Sequence, residues 1–182
     1  MADEAQGGAV RSIRPLEGFA REVGLCAASM EELRASLVRG VEDLSTETLA
    51  RRAYAGANTI GTLLIHVAEA ELFWMQEVIK REPLTATQRQ EYRFDIFGRP
   101  GAPAVEAHDF GYFRKRMDEA RVVTRRVLED LGDEDLEQAR TWEDMKSGEK
   151  REFTVRWILQ HLIEHEAHHR GQVFLLKRAL GF

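Results

Sequence analysis

The chain has 182 residues, enough for one domain with a sizeable core. Its 43% hydrophobic and 31% charged residues are an ordinary globular balance, which excludes a disordered or fibrous chain. The formal net charge of −5, with no Lys/Arg-rich run, argues against a nucleic-acid partner, because phosphate binding needs a concentrated basic surface. Residues 1–14 read as a flexible N-terminal tail and 15–182 as a single domain. The first residues carry two acids before any arginine and no apolar stretch, which does not fit a secretory leader. No run of roughly 18 apolar residues exists, so no membrane span is expected. The lone Cys26 forms no intrachain disulfide, which suits a reducing, cytoplasmic setting.

The first helical pattern is Leu16, Phe19, Val23, Cys26, Met30, Leu33 and Leu37, spaced by three and four. It predicts a packed helix fading near Val41 to Leu44, with Cys26 as a buried core thiol. Ser45 and Thr46 cap a short helical piece through Arg52. Thr59 caps a second long helix running to about Lys80, with Ile60, Leu64, Val67, Met75 and Val78 on one face, and Pro83 ends it. Residues 82–107 carry three prolines and no sustained period, and predict a long connection. Asp109 caps a third helix through Phe113, Met117, Ala120, Thr124 and Val127, closed by Gly132. Asp133 to Thr141 reads as a helical turn, and Trp142 to Phe153 as an irregular hairpin turning at Ser147-Gly148. Thr154 opens the last helix, to Leu180. Four long amphipathic helices and no strong strand pattern predict an all-α four-helix bundle. The long connection lies between its second and third helices and frees it from simple up-down topology.

The last helix carries the chemistry. His165 and His169 lie one turn apart in the middle of its apolar stripe, within about 60° of Ile158, Leu162 and Leu176 on the helical wheel. Two buried imidazoles are costly unless each polar nitrogen finds a partner, and a divalent metal satisfies one nitrogen on each ring. His161 and His168 fall on the edge of the stripe, facing solvent or backing the site. A third ligand must come from another helix. His66 stands beside the apolar face of the second long helix, where spacing alone leaves it open between a ligand and a half-buried histidine. His108, next to a cap, reads as exposed.

His165-Glu166-Ala167-His168-His169 formally matches the HExxH zinc-peptidase pattern, with Glu166 as general base. The extended form of that pattern needs Gly and His where Gln172 and Leu175 stand, and only 13 residues follow His169. A zinc peptidase is therefore a remote alternative.

The run His165-Glu166-Ala167-His168-His169-Arg170-Gly171-Gln172, preceded by Phe153 to His161, resembles the signature of the DinB/YfiT-like superfamily. Leu63 to Glu71, around His66, resembles that family's second-helix segment. The resemblance spans about Leu16 to Leu180. It implies a four-helix bundle of unusual connectivity whose metal is held by His66, His165 and His169. It also implies a zinc or nickel ion and a homodimer; the chemistry of an all-histidine site leaves iron or cobalt as further options. The expected activity is that of a metal-dependent transferase of the thiol S-transferase type, or a hydrolase, acting on a small molecule. A low-molecular-weight thiol is the expected partner, and a non-catalytic metal-binding stress protein is the alternative. No organic cofactor site and no catalytic side chain is assigned. Gln172, Glu166 and Glu164 are candidates for orienting a ligand ring or relaying a proton. Gly171 is expected to allow close helix approach. Phe73, Trp74 and Trp157 read first as core residues, with a pocket lining as the other use.

Overall fold

A computed structural model describes residues 12–94, 104–143 and 147–182. Four long helices form the bundle. They are α1 (Arg21–Val41), α3 (Ile60–Leu72, continued by a π-helical segment Phe73–Ile79), α5 (Phe110–Glu129) and α6 (Val155–Ala179). Short helices α2 (Thr46–Ala50) and α4 (Ala86–Glu91) fill the connections. A 3₁₀ turn (Asp133–Glu137) leads into an antiparallel hairpin, β1 (Ala139–Glu143) with β2 (Lys150–Thr154), registered Ala139 to Thr154. No helix among the described residues is long and apolar enough to cross a membrane.

The caps fall where side-chain oxygens were expected. Ser45, Thr59, Asp109 and Thr154 accept the backbone N–H of Thr48, Thr62, Tyr112 and Trp157. Other expectations are corrected. Helix α1 starts at Arg21, so Leu16 and Phe19 precede it; Leu16 N–H instead donates to the Gly24 carbonyl. Cys26 is half-buried, and burial raises its thiol pKa, with Arg156 opposing. The 82–107 connection holds α4, whose Thr85–Gln88 capping box carries no apolar period to betray it; its residues 95–103 lie outside the described part. Gly132 does not close α5, which ends at Glu129; it has φ −88° and caps the 3₁₀ turn. The hairpin is regular in its strands, Gly148 turns with φ +69°, and residues 144–146 lie outside the described part. Of the expected N-terminal tail, residues 1–11 also lie outside it.

α3 packs on α5 and α6, and α1 packs on α6 and α5. Gly61 brings α3 against α5: a Cβ there would stand 2.6 Å from Phe113 Cζ. Gly171, expected to do this for α6, has no neighbour within 4 Å of its Cβ direction and faces solvent. The ring contacts show α3 and α6 running antiparallel. His66 meets His165 and His169, while Trp74, further along α3, meets Trp157 and His161, further back along α6.

The apolar core is divided in two. One cluster includes Leu37, Leu64, Val67, Phe113, Met117, Val173 and Leu176. The other includes Val23, Met30, Met75, Val127, Leu136, Ile158 and Leu162. Between them lies a layer of charge, with one residue from each long helix: Arg34, Glu71, Arg121 and Glu166. All four are at least 93% buried. Arg34 Nη2 donates to Glu71 Oε2 at 2.6 Å, and Arg34 Nε to Glu166 Oε1 at 2.7 Å. Arg121 Nε donates to Glu71 Oε1 at 2.7 Å, and Arg121 Nη2 to Glu166 Oε2 at 3.2 Å. Two cations and two anions cancel, so the layer carries no net charge. Such a network is tolerable in a core only when its members are hydrogen-bonded to one another.

Candidate metal centre

The same level of the bundle carries the histidines. α3 is apolar on most sides, with Ile60, Leu63, Leu64, Ile65, Val67 and Ala68 buried, and His66 and Glu69 are its half-buried polar side chains. On α6, the four-residue spacing of His165 and His169 stacks them on the face turned to α3. His165 Nε2 stands 3.2 Å from His66 Nε2 and 3.2 Å from His169 Nε2. His66, His165 and His169 each bring one ligand atom into a group whose members all lie within 4.8 Å of one another.

The outer nitrogens fix how the rings present themselves. His66 Nδ1 donates to Glu69 Oε2 at 2.8 Å. His169 Nδ1 donates to Gln172 Oε1 at 2.7 Å, and Gln172 Nε2 in turn donates to His168 Nε2 at 3.0 Å. A neutral ring that donates through Nδ1 bears its lone pair on Nε2. Two lone pairs therefore face His165 Nε2, which can give a hydrogen to only one of them. A cation at the centre would accept all three lone pairs together. At a metal–nitrogen distance of about 2.1 Å, ligand nitrogens stand about 3.4 Å apart in a tetrahedron and about 3.0 Å apart across a right angle. The two 3.2 Å separations at His165 lie between these values, and all three nitrogens stand within 4.8 Å of one another.

Electrostatics keep His165 and His169 unprotonated. Burial, reinforced by the neighbouring imidazoles, pushes His165 down to about 3. Burial likewise lowers His169 to about 4, with the Gln172 hydrogen bond opposing. Near neutral pH, neither ring holds a proton that a metal would have to displace.

The other candidate residues separate. Gln172 touches a histidine of the triad. Glu166 does not: both carboxylate oxygens are taken by Arg34 and Arg121 on the opposite side. This removes Glu166 as a general base and with it the structural support for a peptidase. Glu71 and Glu166 are separated from His165 only by a gap, lined also by Met30, Val67 and Leu162, with no room for a water molecule. Glu164 is exposed and accepts from Gln160 Nε2 at 3.0 Å. His168 is exposed, as expected; His161 is half-buried among aromatic rings, and burial lowers its pKa against the opposing influence of Glu164. His108 is half-buried rather than exposed, stacked on Tyr112 at 3.8 Å. Trp74 and Phe73 are only half-buried, and Trp157 is exposed.

Glu69 is absent from the residues that sequence reasoning singles out. Its signal was present: an acid three residues after a histidine on one helix shares its face. The charged layer left a signal too, since Arg34 and Glu71 interrupt otherwise apolar helical faces.

Comparison with known structures defines the class. A conserved protein from Enterococcus faecalis aligns with a TM-score of 0.62 at 13% identity, covering 85% of this chain and 94% of its own. YfiT from Bacillus subtilis, described as a probable metal-dependent hydrolase with an unusual four-helix bundle topology, aligns at 0.56 and 16% identity, covering 95% and 96%. A DinB-like protein from Bacillus cereus ATCC 10987 aligns at 0.54 and 19% identity, covering 93% and 95%. The fold is therefore the DinB/YfiT-like four-helix bundle. No curated protein matches the sequence. The mycothiol-S-transferase family model matches residues 26–180, and the chain belongs to that family.

Proposed function

We propose that the protein is a metal-dependent enzyme of small-molecule thiol chemistry, a thiol S-transferase. The observation that carries this reading is the convergence of three imidazole nitrogens, two of them fixed in tautomer by Glu69 and Gln172. Membership of the mycothiol-S-transferase family supports the thiol as co-substrate. The likeness to YfiT carries the fold, and a hydrolase is the second reading its description raises.

His66, His165 and His169 would hold a divalent ion, zinc and nickel being the first expectations for an all-imidazole site. Such an ion supplies acidity, lowering the pKa of a bound thiol or water towards neutrality and so furnishing a nucleophile. The protein's own part is to keep three imidazole donors in place. Glu69 and Gln172 hold two of the rings by their outer nitrogens. The neutral charged layer behind His165 fixes the rotation of α6 and adds no net charge to the site.

The test has two stages. Elemental analysis of protein purified without a histidine tag should find one divalent ion per chain, absent in His165→Ala. The metal-loaded protein should then conjugate monochlorobimane with at least one thiol from a panel of mycothiol, bacillithiol, glutathione and cysteine. Failure with every thiol in every metal form overturns the transferase reading.

A further inference from the structure

Trp74, Trp142 and Trp157 are all the tryptophans of the chain. The fold gathers them with Phe73, Phe153 and His161 into one cluster beside the histidines. Phe153, Trp157 and His161 follow one another every four residues and stack, with centroids 4.6 Å apart at 28° and 4.8 Å apart at 6°. Trp74 lies two turns beyond His66 on the same side of its helix. It sets its ring edge-on against Phe153 at 5.1 Å, Trp157 at 5.7 Å and His161 at 5.3 Å. Phe73 bridges Trp74 to Trp142, with centroids 5.3 and 5.9 Å away. The cluster reaches the triad directly: the His161 and His165 ring centroids are 5.7 Å apart.

None of these six side chains is buried. Trp157 is 45% exposed and the other five are half-buried. A core cluster of this composition would remove its rings from water, since a large apolar ring left in solvent forgoes the stabilisation of burial. Here Phe73, Trp74, Trp142 and Phe153 pack on one side against the second apolar cluster, while the rings keep another side open to solvent up to the triad.

We propose that this aromatic wall is a binding site for the flat, aromatic or conjugated part of the small-molecule substrate, next to the metal centre. The proposal rests on the small-molecule reading of the triad and names the class of electrophile it takes. Stacked faces on α6 meet the edge-on Trp74 ring in a corner, which offers a planar ligand both an edge contact and a face contact. The wall presents rings rather than charges, so it selects by shape and polarisability. Its extent fits a small molecule better than a second protein chain. An aromatic side chain carries about 150–250 Å² of surface, so the open part of Trp157, 45% exposed, amounts to roughly 100 Å², and the five half-buried rings, each open by less, bring the whole wall to roughly 500 Å² at most. A stable protein interface needs roughly 800 Å² per partner.

The test uses a matched pair of probes on the metal-loaded protein: 2-naphthalenemethanol and its saturated decalin counterpart, titrated by calorimetry. The naphthalene should bind at least tenfold more tightly than the decalin. Trp157→Ala should abolish that preference and Trp157→Phe should restore most of it, both with unchanged metal content. The exposed ring of Trp157 makes either substitution compatible with the fold. Equal binding of the two probes, or a preference unmoved by Trp157→Ala, overturns the proposal. So does a dimer in sedimentation that Trp157→Ala converts to monomer, because the wall would then be covered by a second copy. Absence of thiol conjugation, with the naphthalene preference intact, would remove the transferase reading and leave the wall standing.

Discussion

Arg34 and Glu166 are 132 residues apart in the chain and 2.7 Å apart in the fold, Nε to Oε1, and both are at least 95% buried. The pair explains why a sequence that spells a zinc-peptidase motif is not built as one. The glutamate next to His165 is turned across the bundle, where it ties α6 to α1 and, through Arg121, to α5.

Breaking this layer by one member should be far worse than removing it whole. Arg34→Met leaves the buried Glu71 and Glu166 short of a donor, and should cost about 3–5 kcal/mol. The quadruple variant Arg34→Met, Glu71→Leu, Arg121→Met, Glu166→Leu should recover most of that loss, since no charge is left unpaired. Urea unfolding midpoints of the two variants and the parent measure the difference.

The layer also sets the acid limit of stability. Burial alone would raise Glu71, but Arg121 and Arg34 outweigh it and hold the carboxyl at about 2, against 4.5 for an unperturbed glutamate. Below pH 4.5 the unfolded chain therefore binds a proton that the folded chain refuses. The stability Glu71 contributes is whole above pH 4.5 and is lost as pH falls towards about 2. In metal-free protein the histidines add an earlier loss. His165 and His169 sit at about 3 and about 4 when folded, against 6.5 when unperturbed, so their share of stability begins to fall below pH 6.5. Unfolding free energy of the metal-free protein, followed from pH 7 to 3, should decline from about the upper of these values. The double variant His165→Gln, His169→Gln should postpone the decline to the carboxylate range.

Metal affinity should depend on residues that never touch the ion. Glu69→Leu and Gln172→Leu each free the outer nitrogen of one ligand ring, and each should weaken binding by about ten- to a hundredfold. Because His165 and His169 are already neutral, affinity between pH 7 and 8 should change little through these rings. Competition against a fluorescent zinc chelator reads both effects. Equal affinity in parent and variants would show that the outer hydrogen bonds do not tune the centre.

Two glycines should respond in opposite ways. Gly61→Ala drives a methyl group to 2.6 Å from the Phe113 ring, which is itself fully packed, and should cost about 1–3 kcal/mol. Gly171→Ala meets open space on an exposed helical turn and should stabilise by up to about 1 kcal/mol. Thermal or urea unfolding of the two variants decides both.

The sequence by itself determined the four long helices, because apolar residues at three- and four-residue spacing, joined in three of them by a polar cap at Thr59, Asp109 or Thr154, are local facts that each stretch carries alone. It also marked His165 and His169 as a pair, since four-residue spacing on an apolar stripe needs no partner to be seen. It left α4 hidden, because a short exposed helix has no apolar period to show, and it held no sign of the π-helical end of α3. What only the tertiary structure decided is which charged side chain answers which. Glu166 could face the histidines or turn away from them, and the wheel of one helix cannot choose. The choice belongs to Arg34 and Arg121, which approach from two other helices and offer a buried carboxylate the donors it must have. The closeness of His66 to the α6 pair was likewise settled by the antiparallel packing of α3 on α6, a relation between segments 99 residues apart that neither contains.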